Sequence, residues 1–274
     1  MSTAPDWLEI TEGPAPLILS LPHTGTEIPP DIEAELLSPW LSRKDADWWI
    51  EQLYAFAGDL GATMIRTRIS RTVIDVNRDP SGQSLYPGMA TTELCPSTTF
   101  DGEPLYPDAA PDADTVARRR ATYFDPYHAA LAGQIARLRA LHPAIVLYDC
   151  HSIRSEIPRL FEGTLPHLNL GTNSGKACAQ ALEARLAAIG MASPFSFVAN
   201  GRFKGGFITR HHGDPAAGIH AVQMELACRA YLDEPPGPVS EANWPTPFDD
   251  AYAAPIRATL RALLETCLDF VRPS

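Results

Sequence analysis

Short apolar runs that stop abruptly at polar residues set the pattern of this chain. LILSL at 17–21 ends at Pro22-His23, and AIVLYD at 144–149 runs into Cys150-His151-Ser152. Such runs read as buried strands that empty into loops. Strand character is also expected for ATMIRTRIS (62–70), RTVIDVN (71–77), FSFV (195–198), GGFITR (205–210) and HAVQMEL (220–226). Helical spacing marks 45–60, with Trp49, Leu53 and Phe56 on one stripe, and also 113–141, 174–189 and an amphipathic tail at 247–271. Residues 79–112, rich in Pro, Gly and Thr, and residues 158–173 read as loops, and long ordered loops are often functional. No internal repeat stands out. Strands alternating with helices predict an α/β sandwich with a mixed, largely parallel sheet. In such sheets ligands sit beyond the carboxyl ends of the strands, where both histidines fall.

A length of 274 residues fits one large domain or two small ones, and 45% hydrophobic against 20% charged residues supports a sizeable core. The net charge of -11 argues against nucleic acid or an anionic membrane as partner. It leaves room for an anionic substrate, because a local arginine pocket can invert the field inside a cleft. Five widely spaced cysteines without a CxxC pair indicate neither a disulfide framework nor a thiolate zinc site. The N-terminus lacks a basic-then-apolar signal, and no apolar run approaches the roughly 18 residues that span a bilayer. A cytoplasmic protein, monomeric or a small homo-oligomer, is expected.

His23 and His151 follow strands directly, and neighbouring strand ends can bring their imidazoles together. Catalytic zinc with two histidines usually takes a carboxylate as third ligand. Asp45 and Asp47 are the candidates, with Asp45 on the Trp49–Leu53 stripe; Glu27 is weaker. Asp149 shares a strand face with His151 and is placed to hold an imidazole from behind. Spacing alone leaves packed, structural histidines open. Glu225 alternates with apolar residues in HAVQMEL, where it reads either as a salt-bridged sheet residue or as a general base. Arg66, Arg68, Arg71 and Arg78 crowd one region beside Asn77, and Arg154 and Arg159 follow His151. Guanidinium geometry suits carboxylate substrates, although ion pairs with Asp75 and Asp79 would account for some of them. Gly201, Gly205 and Gly206 flank Arg202 and Lys204 in a tight loop that permits close backbone approach to a ligand. Arg118-Arg119-Arg120 reads as a solvated helix face, and His211-His212 as a weak metal pair. A serine hydrolase using Ser152 or Ser70 lacks its GxSxG elbow.

Longer motifs carry a family likeness. SLPHTGTEIP (20–29), the Asp45-Ala-Asp-Trp segment, SRTVIDVNRDPSG (70–82), LYPG (85–88), CPSTTFDGEPLY (95–106), DCHSIRSEIPRLFEGTLPHLNLGT (149–172) and NGRFKGGFITRHHGDPAAGIHAVQMEL (200–226) resemble the N-formylglutamate amidohydrolase family, in order over residues 15–235. The resemblance implies one domain over 1–274 with a fold and site plan similar to zinc carboxypeptidases (phosphorylase/hydrolase-like). It implies Zn2+, or another divalent transition metal, on His23, His151 and Asp45 or Asp47. Thr26 stands where the carboxypeptidase His-x-x-Glu spacing would put a ligand. It further implies Glu225 and Arg154 as catalytic residues. Arg71, Asn77, Arg78, Asn169, Arg210 and His220 then hold a small anionic substrate. The implied activity is deformylation of N-formyl-L-glutamate in histidine degradation. Deacylation of another N-acyl amino acid, or non-catalytic binding of anionic metabolites, stand as alternatives.

Overall fold

Seven strands form one mixed sheet: β1 (Leu8–Thr11), β2 (Leu17–Leu21), β3 (Thr63–Thr67), β4 (Ile145–Ile153), β5 (Leu168–Gly171), β6 (Phe197–Ala199) and β7 (Ile219–Ala227), in the order β1-β3-β2-β4-β7-β5-β6. These elements come from a computed structural model that describes residues 5–83, 88 and 90–272, so Leu85, Tyr86 and Pro87 of the LYPG motif lie outside the described residues. The four central strands β3, β2, β4 and β7 run parallel. β1 pairs antiparallel with β3 and β5 antiparallel with β7, while β6 runs parallel to β5.

The helices are α1 (Pro30–Glu33), α2 (Ile50–Leu53), α3 (Ala113–Arg119), α4 (Asp125–Arg139), α5 (Gln180–Ala192), α6 (Phe207–His212) and α7 (Asp250–Val271). One wide turn, Arg120–Phe124, joins α3 to α4. Two apolar layers sandwich the sheet. On one face Leu17, Leu19, Val146, Tyr148, Val222 and Met224 pack with Leu182 and Leu186 of α5 and with Ile256, Leu260 and Leu264 of α7. On the other, Ile18, Ile145, Leu147 and Ala221 pack with Tyr127, Leu131, Ile135 and Leu138 of α4. The alternation of side chains along a strand places successive residues in different layers.

That second face changes character along the strands. On β4, Ile145 and Leu147 join the apolar layer, while Asp149 and His151 continue the same face beyond it. On β7, Ile219 and Ala221 give way to Gln223 and Glu225, and on β2 Ile18 gives way to Ser20. Apolar patterning therefore holds the N-terminal halves of the strands, and their C-terminal halves carry buried polar groups. This polar end of the sheet is where the candidate site forms.

Four expectations from sequence are corrected. RTVIDVN (71–77) is a series of buried turns, because side chains capture its backbone: Asn77 N donates to Asp75 Oδ1 at 2.9 Å and Thr72 N to Ser70 Oγ at 3.2 Å. GGFITR is no strand, since most of it enters α6. Two amides at its start, Phe207 N and Ile208 N, donate to Asn77 O and Asn77 Oδ1, satisfying helix-end donors from a distant segment. The helix expected over 45–60 shrinks to α2 and a tight turn at Ala55–Gly58, because Trp49 adopts a left-handed backbone (φ 63). The loop expected at 158–173 contains β5, which pairs with both β7 and β6. Among the described residues, no helix is long and apolar enough to cross a membrane.

Candidate active site

β2 and β4 lie side by side, so the residues that follow or end them converge. His23 leaves β2, His151 sits near the end of β4, and Asp47 reaches both from the turn before α2. Asp47 N is held by His23 O at 2.9 Å, which ties that turn to the end of β2. His151 Nδ1 lies 3.1 Å from Asp47 Oδ2, and His23 Nδ1 lies 3.7 Å from the same oxygen. One ligand atom from each of the three residues lies within 4.8 Å of the others, and all three side chains are buried. Ligands about 2.1 Å from a tetrahedral ion stand about 3.4 Å apart, near the two distances to Asp47.

The donor set fits a divalent cation on a second ground. His23 Nδ1 is buried with no hydrogen-bond partner among the described residues, a costly state that a metal relieves. Behind them, each imidazole is aimed by a carboxylate on its other nitrogen. His23 Nε2 contacts Asp75 Oδ1 at 2.7 Å, and His151 Nε2 contacts Asp149 Oδ2 at 2.9 Å. This is the arrangement that orients metal-binding histidines. Asn77 Nδ2 lies 2.9 Å from His151 Nε2 and donates to Asp149 Oδ2 at 3.2 Å. Ser20 Oγ donates to Asp149 Oδ1 at 2.9 Å.

Charge is concentrated here. Burial alone would raise the Asp75 carboxyl, but the charges of His23, Arg71 and Arg78 outweigh it and hold it well below the usual carboxylate range. Burial is likewise overcome at Asp47, which its hydrogen bond to His151 and the nearby imidazole of His23 keep ionised. Burial disfavours the His151 imidazolium, yet Asp149 and Asp47 raise its pKa well above the ordinary value. Arg71 ties the two sides together, reaching Asp75 Oδ2 at 2.6 Å and Asp47 Oδ1 at 3.5 Å.

Glu225 completes the group. It pairs in register with His151 across β4 and β7 and is 7% exposed. Burial, the largest influence, pushes its carboxyl up to about 7, while the His151 charge pulls the other way. Gln223 Nε2 donates to Glu225 Oε2 at 3.1 Å. His23, His151, Glu225, Arg71, Asn77, Arg78, Phe100, Arg202 and Gln223 line a single cavity. Gly206 closes one wall at such short range that a Cβ there would meet Asn77 Nδ2 at 2.4 Å. Its N–H donates to Gln223 Oε1 at 2.7 Å.

Of the residues singled out from sequence, the structure brings together His23, Asp47, Asp149, His151, Glu225, Arg71, Asn77, Arg78, Arg202 and Gly206. Several others lie elsewhere. Asp45 is outside the triad: its Oδ2 accepts from Phe100 N at 2.6 Å and its Oδ1 lies 3.5 Å from Arg154. Arg154 is held by Asp101 at 2.6 Å and does not line the cavity. Asn169 donates to Pro166 O and Glu225 O, supporting the glutamate's backbone. Arg210 bonds Gly205 O through Nε. His220 accepts from Ala179 N and packs on Phe270, five residues or about 16 Å along β7 from Glu225. Glu27 pairs with Arg68 at 3.0 Å. His212 pairs with His128 at 3.1 Å. Arg118 and Arg120 are exposed, but Arg119 is buried against Tyr106 and Val73 O. Asp75 is the residue sequence reasoning undervalued. It pairs with Arg71 and Arg78 as expected, and it also orients His23. Gln223, two residues before Glu225 on the same strand face, carried a readable signal.

Fold and site together define an α/β hydrolytic enzyme whose reactive groups sit at the carboxyl ends of parallel strands. Residues 15–232 match the model of the N-formylglutamate amidohydrolase family, and the chain belongs to that family. It is 44% identical over 267 residues to an N-formylglutamate deformylase of Pseudomonas aeruginosa, covering 97% of each chain. A Pseudomonas putida N-formylglutamate deformylase is 43% identical and covers 95% of each. The fold is similar to that of a solved N-formylglutamate amidohydrolase from Ralstonia eutropha (TM-score 0.75, 23% identity, 98% of this chain and 99% of that one). It is also similar to that of a gene product from Agrobacterium tumefaciens (TM-score 0.72, 17% identity, 96% and 95% covered).

Proposed function

We propose that this chain is a zinc-dependent N-formylglutamate deformylase, converting N-formyl-L-glutamate and water to formate and L-glutamate as the last step of a histidine degradation route. One observation carries the reading: His23, Asp47 and His151 each offer one ligand atom within 4.8 Å of the others, beside a glutamate in register with His151. Zinc held by these three residues would polarise the formyl carbonyl and acidify a water.

The chain's own groups do the rest. Glu225 accepts the proton of the attacking water and delivers it to the departing nitrogen, a role suited to a carboxyl pushed up to about 7. Asp75 and Asp149 hold the two imidazoles in one tautomer, with each Nδ1 facing inward. Arg71 locks Asp47 and Asp75 in place, and Arg78, exposed to the cavity, takes a substrate carboxylate. The formyl carbon bears only hydrogen, so Phe100 and Ile153 in the lining are positioned to exclude larger acyl groups. The five cysteines are free and buried, which suits a reducing cytoplasm.

Formate release from N-formyl-L-glutamate, measured with the metal content of the same preparation, tests the proposal. Turnover that follows zinc content, with N-acetyl-L-glutamate a poor substrate, supports it. Full turnover after exhaustive chelation rejects the metal assignment, and no formate release from zinc-loaded protein rejects the activity.

A further inference from the structure

Three guanidinium groups line the cavity shared by His151 and Glu225, in a chain whose net charge is -11. Their settings differ. Arg71 is 8% exposed and serves the two buried carboxylates Asp47 and Asp75. Arg78 Nε lies 3.4 Å from Asp75 Oδ2, the carboxylate that holds His23, so it stands beside the triad. Arg202 comes from a separate segment. It lies in the segment between β6 and α6, bounded by left-handed Asn200 (φ 52) and Gly205 (φ 110). Its Nε donates to Leu160 O and its Nη2 to Ala90 O, both at 2.9 Å. The guanidinium lies 5.2 Å from the Phe203 ring centroid. Leu160 and Phe203 belong to a small apolar cluster with Phe100 and Ile153.

We propose that Arg202 is the specificity-determining residue that selects substrates bearing a second carboxylate. It binds the side-chain carboxylate of the N-formyl amino acid while Arg78 binds the α-carboxylate. This rests on the N-formylglutamate reading above. Backbone carbonyls and an aromatic face fix the plane of the Arg202 guanidinium before substrate arrives, so little side-chain freedom is lost on binding. Two cations supplied by separate segments of one cavity lining match a ligand with two carboxylates. A neutral side chain of the same shape forgoes one of the two charge-assisted contacts.

The test compares N-formyl-L-glutamate with its neutral isostere N-formyl-L-glutamine on zinc-loaded wild type, Arg202→Met, Arg202→Lys and Arg78→Met. Charge-assisted hydrogen bonds of this kind are worth about 10- to 100-fold. Arg202→Met should lose that factor in kcat/KM on N-formyl-L-glutamate, mainly through KM, and the wild-type preference for the glutamate over the glutamine substrate should collapse toward 1. Arg202→Lys should keep part of the preference. Arg78→Met should lower kcat/KM on both substrates together. A preference that survives in Arg202→Met, or an equal loss on both substrates, overturns the assignment by showing no role or a structural one. Wild type that acts on neither substrate sinks the functional reading, and this assignment with it.

Discussion

His151 and Glu225 stand directly opposite each other on the neighbouring parallel strands β4 and β7. A strand pair fixes this relationship more rigidly than any loop, and it sets a buried carboxylate beside the imidazole that faces Asp47. Glu225→Gln keeps the shape and removes the basicity. It should lower kcat by about 10²- to 10⁴-fold, the usual worth of a positioned general base, while the protein still binds one zinc. Steady-state turnover and metal analysis on the same sample check this. Activity near that of wild type would remove Glu225 from the mechanism.

The raised Glu225 carboxyl carries a second consequence. Burial holds it at about 7 in the folded protein, whereas in the unfolded chain a glutamate titrates near ~4.3. Between these values the folded state keeps a proton that the unfolded chain has lost, so metal-free protein loses stability as pH rises through that window. Metal-free Glu225→Gln should therefore melt several degrees higher than metal-free wild type at pH 8, with the gap closing near pH 4.5. An equal gap at both pH values would contradict the ionisation cost. In the loaded enzyme the base must be ionised, so kcat/KM should fall on the acid side with a midpoint at or below about 7, since a bound cation lowers the pKa further.

Asp75 is 0% exposed and gathers His23 Nε2, Arg71, Arg78 and its own Asn77 N–H. Asp75→Asn keeps the size but loses the charge that aims His23. Zinc affinity should fall by about 10- to 100-fold, and the protein should lose about 3–5 kcal/mol of stability, because buried Arg71 and half-buried Arg78 lose the carboxylate they share. Chelator competition and chemical denaturation read the two effects separately. Wild-type zinc affinity in a folded variant would exclude Asp75 from the metal's support.

Gly206 lies so close to Asn77 that a methyl group there would come within 2.4 Å of its amide nitrogen. Asn77 in turn touches His151 and Asp149 and caps α6. Gly206→Ala should displace that amide and cost roughly 10²-fold in kcat/KM, the scale of a 1 Å misplacement. Gly58→Ala, where an added Cβ meets nothing within 4 Å, serves as the matched control and should retain wild-type rates. Equal behaviour of the two variants would show that Asn77 needs no such fixed position.

The strand ends were legible because apolar runs buried on both faces leave a plain signature, and His23 and His151 follow such runs. Glu225 was legible as a charge in an apolar alternation. The choice between Asp45 and Asp47 stayed open because it depended on helical phase, and the left-handed Trp49 breaks the helix that the apolar stripe implied. Asp75 was hidden for a related reason. Read as a strand, residues 71–77 offer only alternation, whereas the turns that form there depend on side-chain bonds to backbone and on Leu94 O, which accepts from Asp75 N. The start of α6 is stabilised by Asn77, 130 positions before Phe207, so no local window could show it. Asn169, Arg210 and His220 entered through family likeness, and the fold gives them bonds outside the cavity lining.

Anomalous X-ray scattering from crystals of zinc-loaded protein tests the proposed metal centre most directly. A single strong peak about 2.1 Å from His23 Nδ1, His151 Nδ1 and an Asp47 oxygen is expected, beside the Glu225 carboxylate. A peak on other residues, or none at this triad in protein that releases formate, would contradict it.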